Sequence, residues 1–286
     1  MALFEGFDDL TIETGDATIR VRRGGDGPPL LLHGHPQTHL MWHAVAPLLA
    51  RDFTVVATDL RGYGESSKPP TTADHAPYSK RAMALDQVAV MRELGHARFA
   101  VAGHDRGGRV AYRMAIDHPE VVTKLAVLDI VPTSEAYRRA DMAFGLDYFH
   151  WFFLAQPAPM PEDLIGCDPD NYYFRGNRGL FHPDALAGYL RSVHDPATIH
   201  AMCEDYRAGA TIDFALDEAD RERRPLACPV LVLWGARASV ATWYDVLEIW
   251  RDWAENVRGR ALDCGHYLAE EAPAETVEEF RAFFLD

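Results

Sequence analysis

The chain has few cysteines, no long apolar run and no excess of positive charge, and each shortage removes a class of protein. Only Cys167, Cys203, Cys228 and Cys264 occur in 286 residues, with no C-x-x-C spacing. That usage suits reduced thiols in a cytoplasmic protein and argues against a disulfide framework or a zinc site. No stretch reaches the roughly 18 apolar residues that a membrane-spanning helix needs. The start, MALFEGFDDL, has neither a basic leader nor an apolar core, so no signal peptide is expected. Lys and Arg number 28 against 43 Asp and Glu, a formal charge of -15. Such a field repels nucleic acid and anionic membranes, and neither is expected as a partner. An anionic ligand would have to be drawn in by a local cationic pocket. No internal repeat or low-complexity tract is present.

Short apolar, often β-branched runs alternate with longer helical patterns. The runs are residues 29–33 (PLLLH), 53–59 (FTVVATD), 98–104 (RFAVAGH), 124–130 (KLAVLDI), 229–235 (PVLVLWG) and, more weakly, 257–263 (VRGRALD). Near-continuous hydrophobicity marks strands covered on both faces, hence an α/β fold with a mostly parallel central sheet and helices on both sides. Amphipathic helices are expected over 78–94, 106–118, 243–254 and 274–284. Gly95 would cap the first and Pro119 end the second. From about Thr133 to Phe214 the rhythm breaks into a segment rich in aromatics, Pro and His, without a good buried strand. It reads as a helical cap over the carboxyl edge of the sheet, where open α/β sheets bind ligands. The expected division is therefore core 1–132, cap 133–214 and core 215–286.

The strongest local signal is VAGHDRGGRVAYRMA, in which a buried strand runs into Gly103-His104-Asp105-Arg106-Gly107 and then directly into a helix. This is the G-x-Nu-x-G nucleophile elbow, with Asp where many hydrolases carry Ser. Three further features agree with it: His33-Gly34-His35-Pro36 after an early strand, the turn Asp59-x-Arg61-Gly62-Tyr63-Gly64-x-Ser66, and His266 on a loop before the last helix. No carboxylate follows Trp234-Gly235 until Asp245, inside the next helical stretch, so Asp129 at the end of the preceding strand is the acid that would orient His266. His35, His39 and His43 invite a metal, but Pro36 interrupts their spacing, and neither metal nor cofactor is expected.

A carboxylate nucleophile restricts the chemistry. Its ester intermediate carries the electrophilic carbonyl on the enzyme, which suits displacement at a saturated carbon and suits peptide or lipid hydrolysis poorly. His266, held by Asp129, would act as base on the water that attacks the ester. The amides of His35 and Arg106 would hold the oxyanion. Arg106 and Arg109, three residues apart at a helix start, could converge on one small carboxylate.

With HGHPQTHLMWHAVAPLL, DLRGYGES, GHDRGGRVAYRMA, VLDIVPT, His150-Trp151, CEDYRAGA and WYDV in place, most of the chain resembles the fluoroacetate (haloacetate) dehalogenases of the α/β-hydrolase superfamily. The resemblance implies hydrolysis of a small anionic 2-haloacid without cofactor. It also implies carboxylate binding by Arg106 and Arg109, halide binding by His150, Trp151 and Tyr206, and a homodimer. His35 departs from the family's usual Phe, which leaves the amide role intact and makes the pocket more polar. Two other readings stay open: an epoxide hydrolase on the same scaffold, against which the Arg after Asp105 speaks, and a catalytically idle ligand-binding relative.

Overall fold

A computed structural model describes residues 3–27, 29–32, 34–223 and 225–286, with the side chains of 30–32 left aside. His33, first in the His-Gly-His-Pro loop, lies outside the described residues. Eight strands form one sheet: β1 (Asp8–Glu13), β2 (Thr18–Gly24), β3 (Leu30–Leu32), β4 (Val55–Thr58), β5 (Phe99–His104), β6 (Val122–Leu128), β7 (Val230–Gly235) and β8 (Val257–Leu262). Their order is β1-β2-β4-β3-β5-β6-β7-β8. All pairings from β4 onward are parallel, while β1–β2 and β2–β4 are antiparallel.

The six expected runs are β3 to β8. The hairpin β1–β2 was not expected. Its sequences, DDLTIE and TIRVRRG, alternate charged and apolar residues, because only one face of this edge pair is buried. Every residue of β4 and β5 is buried, as strands sandwiched between helices must be.

Helices Lys80–Glu93, Arg106–Asp117, Val246–Trp253 and Pro273–Phe284 fall where amphipathicity put them. Ser79 caps the first, accepting a hydrogen bond from the Ala82 amide, and Gly95 follows its end at φ 86°. Asp245 does not lie inside a helix: it is the N-cap of Val246–Trp253, accepting from the Glu248 amide at 3.0 Å. Between the neighbouring strands β6 and β7 the chain makes a run of helices from Thr133 to Asp220. The run passes the expected limit at 214 with a further helix, Phe214–Asp220. No helix among the described residues is long and apolar enough to cross a membrane.

The strand order positions the site. β3 pairs with both β4 and β5, so the chain reverses its winding direction at β3 and opens a crevice at the carboxyl ends of β3 and β5. The loop after β3 and the elbow after β5 therefore emerge side by side. Gly103 has to be glycine there. A Cβ on it would stand 2.4 Å from the carbonyl oxygen of Gly107, a backbone atom with no room to retreat. Gly103→Ala should lose about 2–4 kcal/mol in chemical denaturation, by overpacking against fixed backbone; a loss below about 0.5 kcal/mol would mean that the turn relaxes.

Candidate active site

Asp105 joins β5 to the helix Arg106–Asp117 with φ 45° and ψ -116°, a conformation that L-residues rarely occupy. The strain turns its carboxylate out of the strand-to-helix line toward the crevice. The side chain is 8 % exposed, and the His35 amide donates to its Oδ2 at 3.2 Å. Burial disfavours the charge, yet His266, Arg109, His104 and Arg106 outweigh it and push the carboxyl well below its ordinary range. Asp105 is thus held as an anion at neutral pH.

At the end of β6, Asp129 also has positive φ, 54°, and is buried. Its Oδ1 accepts from the Gly235 amide at 2.9 Å and its Oδ2 meets His266 Nδ1 at 2.6 Å. Burial opposes protonation of His266, but the bond to Asp129 and the charges of Asp129 and Asp105 prevail and raise the imidazole's pKa. With Nδ1 held by Asp129, Nε2 is the nitrogen left for chemistry. Asp105, Asp129 and His266 follow the ends of β5, β6 and β8, in the chain order that the sequence suggested.

A cavity of about 530 Å³ opens over this group, lined by Asp105, His266, His35, His150 and Trp151 among others. His35 stacks on His150 with ring centres 6.3 Å apart. Burial carries both imidazoles down, to about 3 for His35 and about 4 for His150, so both are neutral donors at pH 7. Tyr206 lies 5.1 Å from the His35 ring and 5.8 Å from the His150 ring, and its buried hydroxyl has no partner among the described residues. His39 and His43 take other partners, Asp59 at 2.8 Å and the Leu40 carbonyl at 3.0 Å.

The two arginines are less free than their spacing suggested. Neither lines the cavity, and nor does Tyr206; both arginines stand behind Trp151, Arg109 with its guanidinium 4.5 Å and Arg106 5.9 Å from the centre of that ring, and Arg106 also lies 4.1 Å from the Tyr206 ring. Arg109 Nη1 donates to the Val131 carbonyl at 3.0 Å and to Thr133 Oγ1 at 3.2 Å, while its buried Nε has no partner among the described residues. Arg106 grips Asp205 through Nε at 3.0 Å and Nη2 at 2.7 Å.

Asp205 went unnoticed in the sequence. It is fully buried and also accepts from Tyr63 Oη at 2.6 Å and from Lys80. Burial resists its ionisation, but Arg106 and Lys80 hold it charged. A π-helical turn, Gly209–Asp213, interrupts the helices beside this pair; a Cβ on Gly209 would lie 3.1 Å from Arg106 Nη2. The available signal was the acidic pair Glu204-Asp205 directly before Tyr206 in a helix otherwise apolar enough to be buried.

The family model for the alpha/beta hydrolase fold matches residues 28–273. A fluoroacetate dehalogenase from Burkholderia sp. is 47% identical over 99% of this chain and 96% of its own. This chain belongs to the haloacetate dehalogenase family of α/β-hydrolases. A soluble epoxide hydrolase from Corynebacterium sp. (strain C12) is 33% identical, covering 92% of each chain. Among solved structures, a Nostoc sp. PCC 7120 protein assigned to the alpha/beta hydrolases superimposes with a TM-score of 0.96 at 53% identity, covering 98% of this chain and 99% of its own.

In this family member Asp205 ties the helical insertion to the core through Arg106 and Lys80. Asp205→Asn would leave the buried Arg106 without a carboxylate and Lys80 with Asp213, at 3.5 Å. It should cost about 3–5 kcal/mol in denaturant unfolding, whereas a loss under about 1 kcal/mol would show the pair to be dispensable.

Proposed function

We propose that the protein hydrolyses 2-haloacetates to glycolate and halide through an ester of Asp105. The observation that carries this is an ionised carboxylate, rather than a hydroxyl, on the elbow, beside an Asp129-held His266. The kinship with a fluoroacetate dehalogenase points the same way, and the epoxide hydrolase relative is more distant. The helical insertion, residues 133–214, acts as a cap on core segments 1–132 and 215–286.

The substrate carboxylate is received by Arg106 and Arg109, with the unpartnered Arg109 Nε as its natural donor. An Asp105 oxygen attacks the halogen-bearing carbon in line. The carbon–halogen bond breaks, and the halide leaves with the electron pair toward His150, Trp151 and Tyr206. Neutral imidazole, indole and phenol hydrogens stabilise that charge without binding it so tightly as a cation would.

Ester formation removes the negative charge of Asp105, one of the causes that raise the His266 pKa. His266 thereby releases its proton more easily at the moment when a base is required. Its Nε2 takes a proton from water, and the hydroxide adds to Cγ of Asp105. The His35 and Arg106 amides hold the resulting oxyanion, and collapse returns the carboxylate and frees the hydroxy acid. No cofactor enters this scheme.

Met142, Leu146, Phe149 and Phe152 are exposed on successive helices of the insertion. This apolar surface supports self-association, and we assign a cytoplasmic homodimer, which sedimentation at micromolar concentration would reveal as twice the chain mass.

The test is halide release from fluoroacetate and chloroacetate, with Asp105→Asn as blank. Release that the substitution abolishes is expected; release from neither acid, with turnover of styrene oxide, would overturn the reading in favour of an epoxide hydrolase. His266→Asn should stop at the ester, seen as added mass on the Asp105 peptide.

The pH dependence has a definite sign. A raised His266 pKa means that the base form is lost as pH falls through a value above the ordinary 6.5. Turnover should therefore decline as pH falls through that raised value, and Asp129→Asn should move that limb to lower pH. An unmoved limb would remove His266 from the rate-limiting step.

A further inference from the structure

The cavity's lining carries carboxylates as well as cations. Asp105 and Asp147 both line it, within a chain of formal charge -15. The cations proposed to bind the carboxylate stand behind the wall, and Arg106 is already bonded to Asp205 through two nitrogens. A small anion in this cavity therefore needs a cation on the lining itself, nearer to solvent than Arg109.

Two arginines do line the cavity, Arg175 and Arg237. Arg237 is paired with Asp263 across the surface. Arg178, near Arg175 in sequence, is paired with Asp170 at 3.4 Å. Arg175 differs from both: it is exposed, and among the described residues its guanidinium has no carboxylate or hydrogen-bond partner. It sits at the end of the helix Pro169–Phe174, on the same stretch of wall as Tyr172, Tyr173 and Asn177. Among the described residues the buried hydroxyls of Tyr172 and Tyr173 and Oδ1 of Asn177 have no partner, while Asn177 Nδ2 donates to Tyr267 Oη at 3.2 Å. A cation and unsatisfied hydroxyl donors thus share one wall of a cavity that leads to the nucleophile.

We propose that Arg175 and this wall form an outer anion site, which captures the substrate's carboxylate before it passes inward to Arg106 and Arg109. The proposal rests on the haloacetate reading for its ligand class, a small monocarboxylate. Arg175 is a recruiting and specificity residue and not a catalytic one, since it does not touch the reacting atoms. Its charge acts along the cavity, where low-dielectric walls concentrate the field and partly offset that of the acidic surface. Its pull must therefore weaken with ionic strength, as it does for any solvent-facing charge.

Acetate, an unreactive carboxylate of the right charge, is the probe, and quenching of tryptophan fluorescence reads its binding, since Trp151 lines the cavity. Arg175→Gln should weaken acetate binding about three- to tenfold at low salt, with the difference shrinking as salt rises. Arg175→Lys should restore most of the affinity, because charge rather than shape is at issue. With chloroacetate, Arg175→Gln should lower kcat/KM more than kcat. Equal acetate affinity and equal salt dependence in wild type and Arg175→Gln would overturn the proposal, as would a wild type that does not bind acetate. The two readings fail separately. Halide release by wild type with acetate binding indifferent to Arg175 sinks the outer site alone. Arg175-dependent acetate binding without halide release sinks the haloacetate reading alone.

Discussion

Keeping a buried carboxylate ionised is the constraint around which the rest of the arrangement is built. Asp105 sits where a strand becomes a helix, shielded from water, and a lone anion there would take up a proton. The cations that prevent this must be close without forming a direct bond that blocks attack. Arg106 and Arg109 meet that condition by following Asp105 on the same helix and turning their guanidiniums to other partners. The strain at Asp105 aims the carboxylate away from the helix axis and toward the cavity, and the glycine at 103 lets the turn close.

The same constraint propagates outward. An arginine buried to neutralise Asp105 needs its own counter-ion, and Asp205 from the helical insertion supplies it, with Lys80 and Tyr63 completing the cluster. A buried ionic cluster adds little net stability compared with apolar packing, because desolvation cancels most of the attraction. What it gives here is registry. Removing Asp205 leaves Arg106 buried and without a counter-ion, which ties the helical insertion to one placement on the core. The aromatic side chains of the proposed halide site, Trp151 and Tyr206, are packed against the two guanidiniums in that registry.

Legibility in the sequence followed the range of the interactions. The parallel strands were plain because burial on both faces writes itself as unbroken apolar runs, and the elbow because its turn tolerates only small residues around Asp105. Asp129 and His266 were found by their positions at strand ends, where the topology collects residues from distant parts of the chain. The hairpin Asp8–Gly24 was missed, because its half-exposed strands carry charges at alternate positions and read as loop. Asp205 was missed for a different reason. Its partner Arg106 lies 99 residues away, and no local pattern announces an ion pair across an insertion. Nor did the spacing of Arg106 and Arg109 disclose that one guanidinium was already engaged. Arg175 had no sequence signature at all; its interest comes only from the wall on which the fold sets it.

The central claim is that the oxygen delivered to the substrate comes from Asp105 and not directly from water. A single turnover of excess enzyme with chloroacetate in water enriched in oxygen-18 tests it without any substitution. The account predicts unlabelled oxygen in the newly formed hydroxyl of the product and one heavy oxygen in the peptide that carries Asp105. Heavy oxygen in the product hydroxyl after that first turnover, with Asp105 unlabelled, would mean that water attacks the substrate itself and would contradict the account.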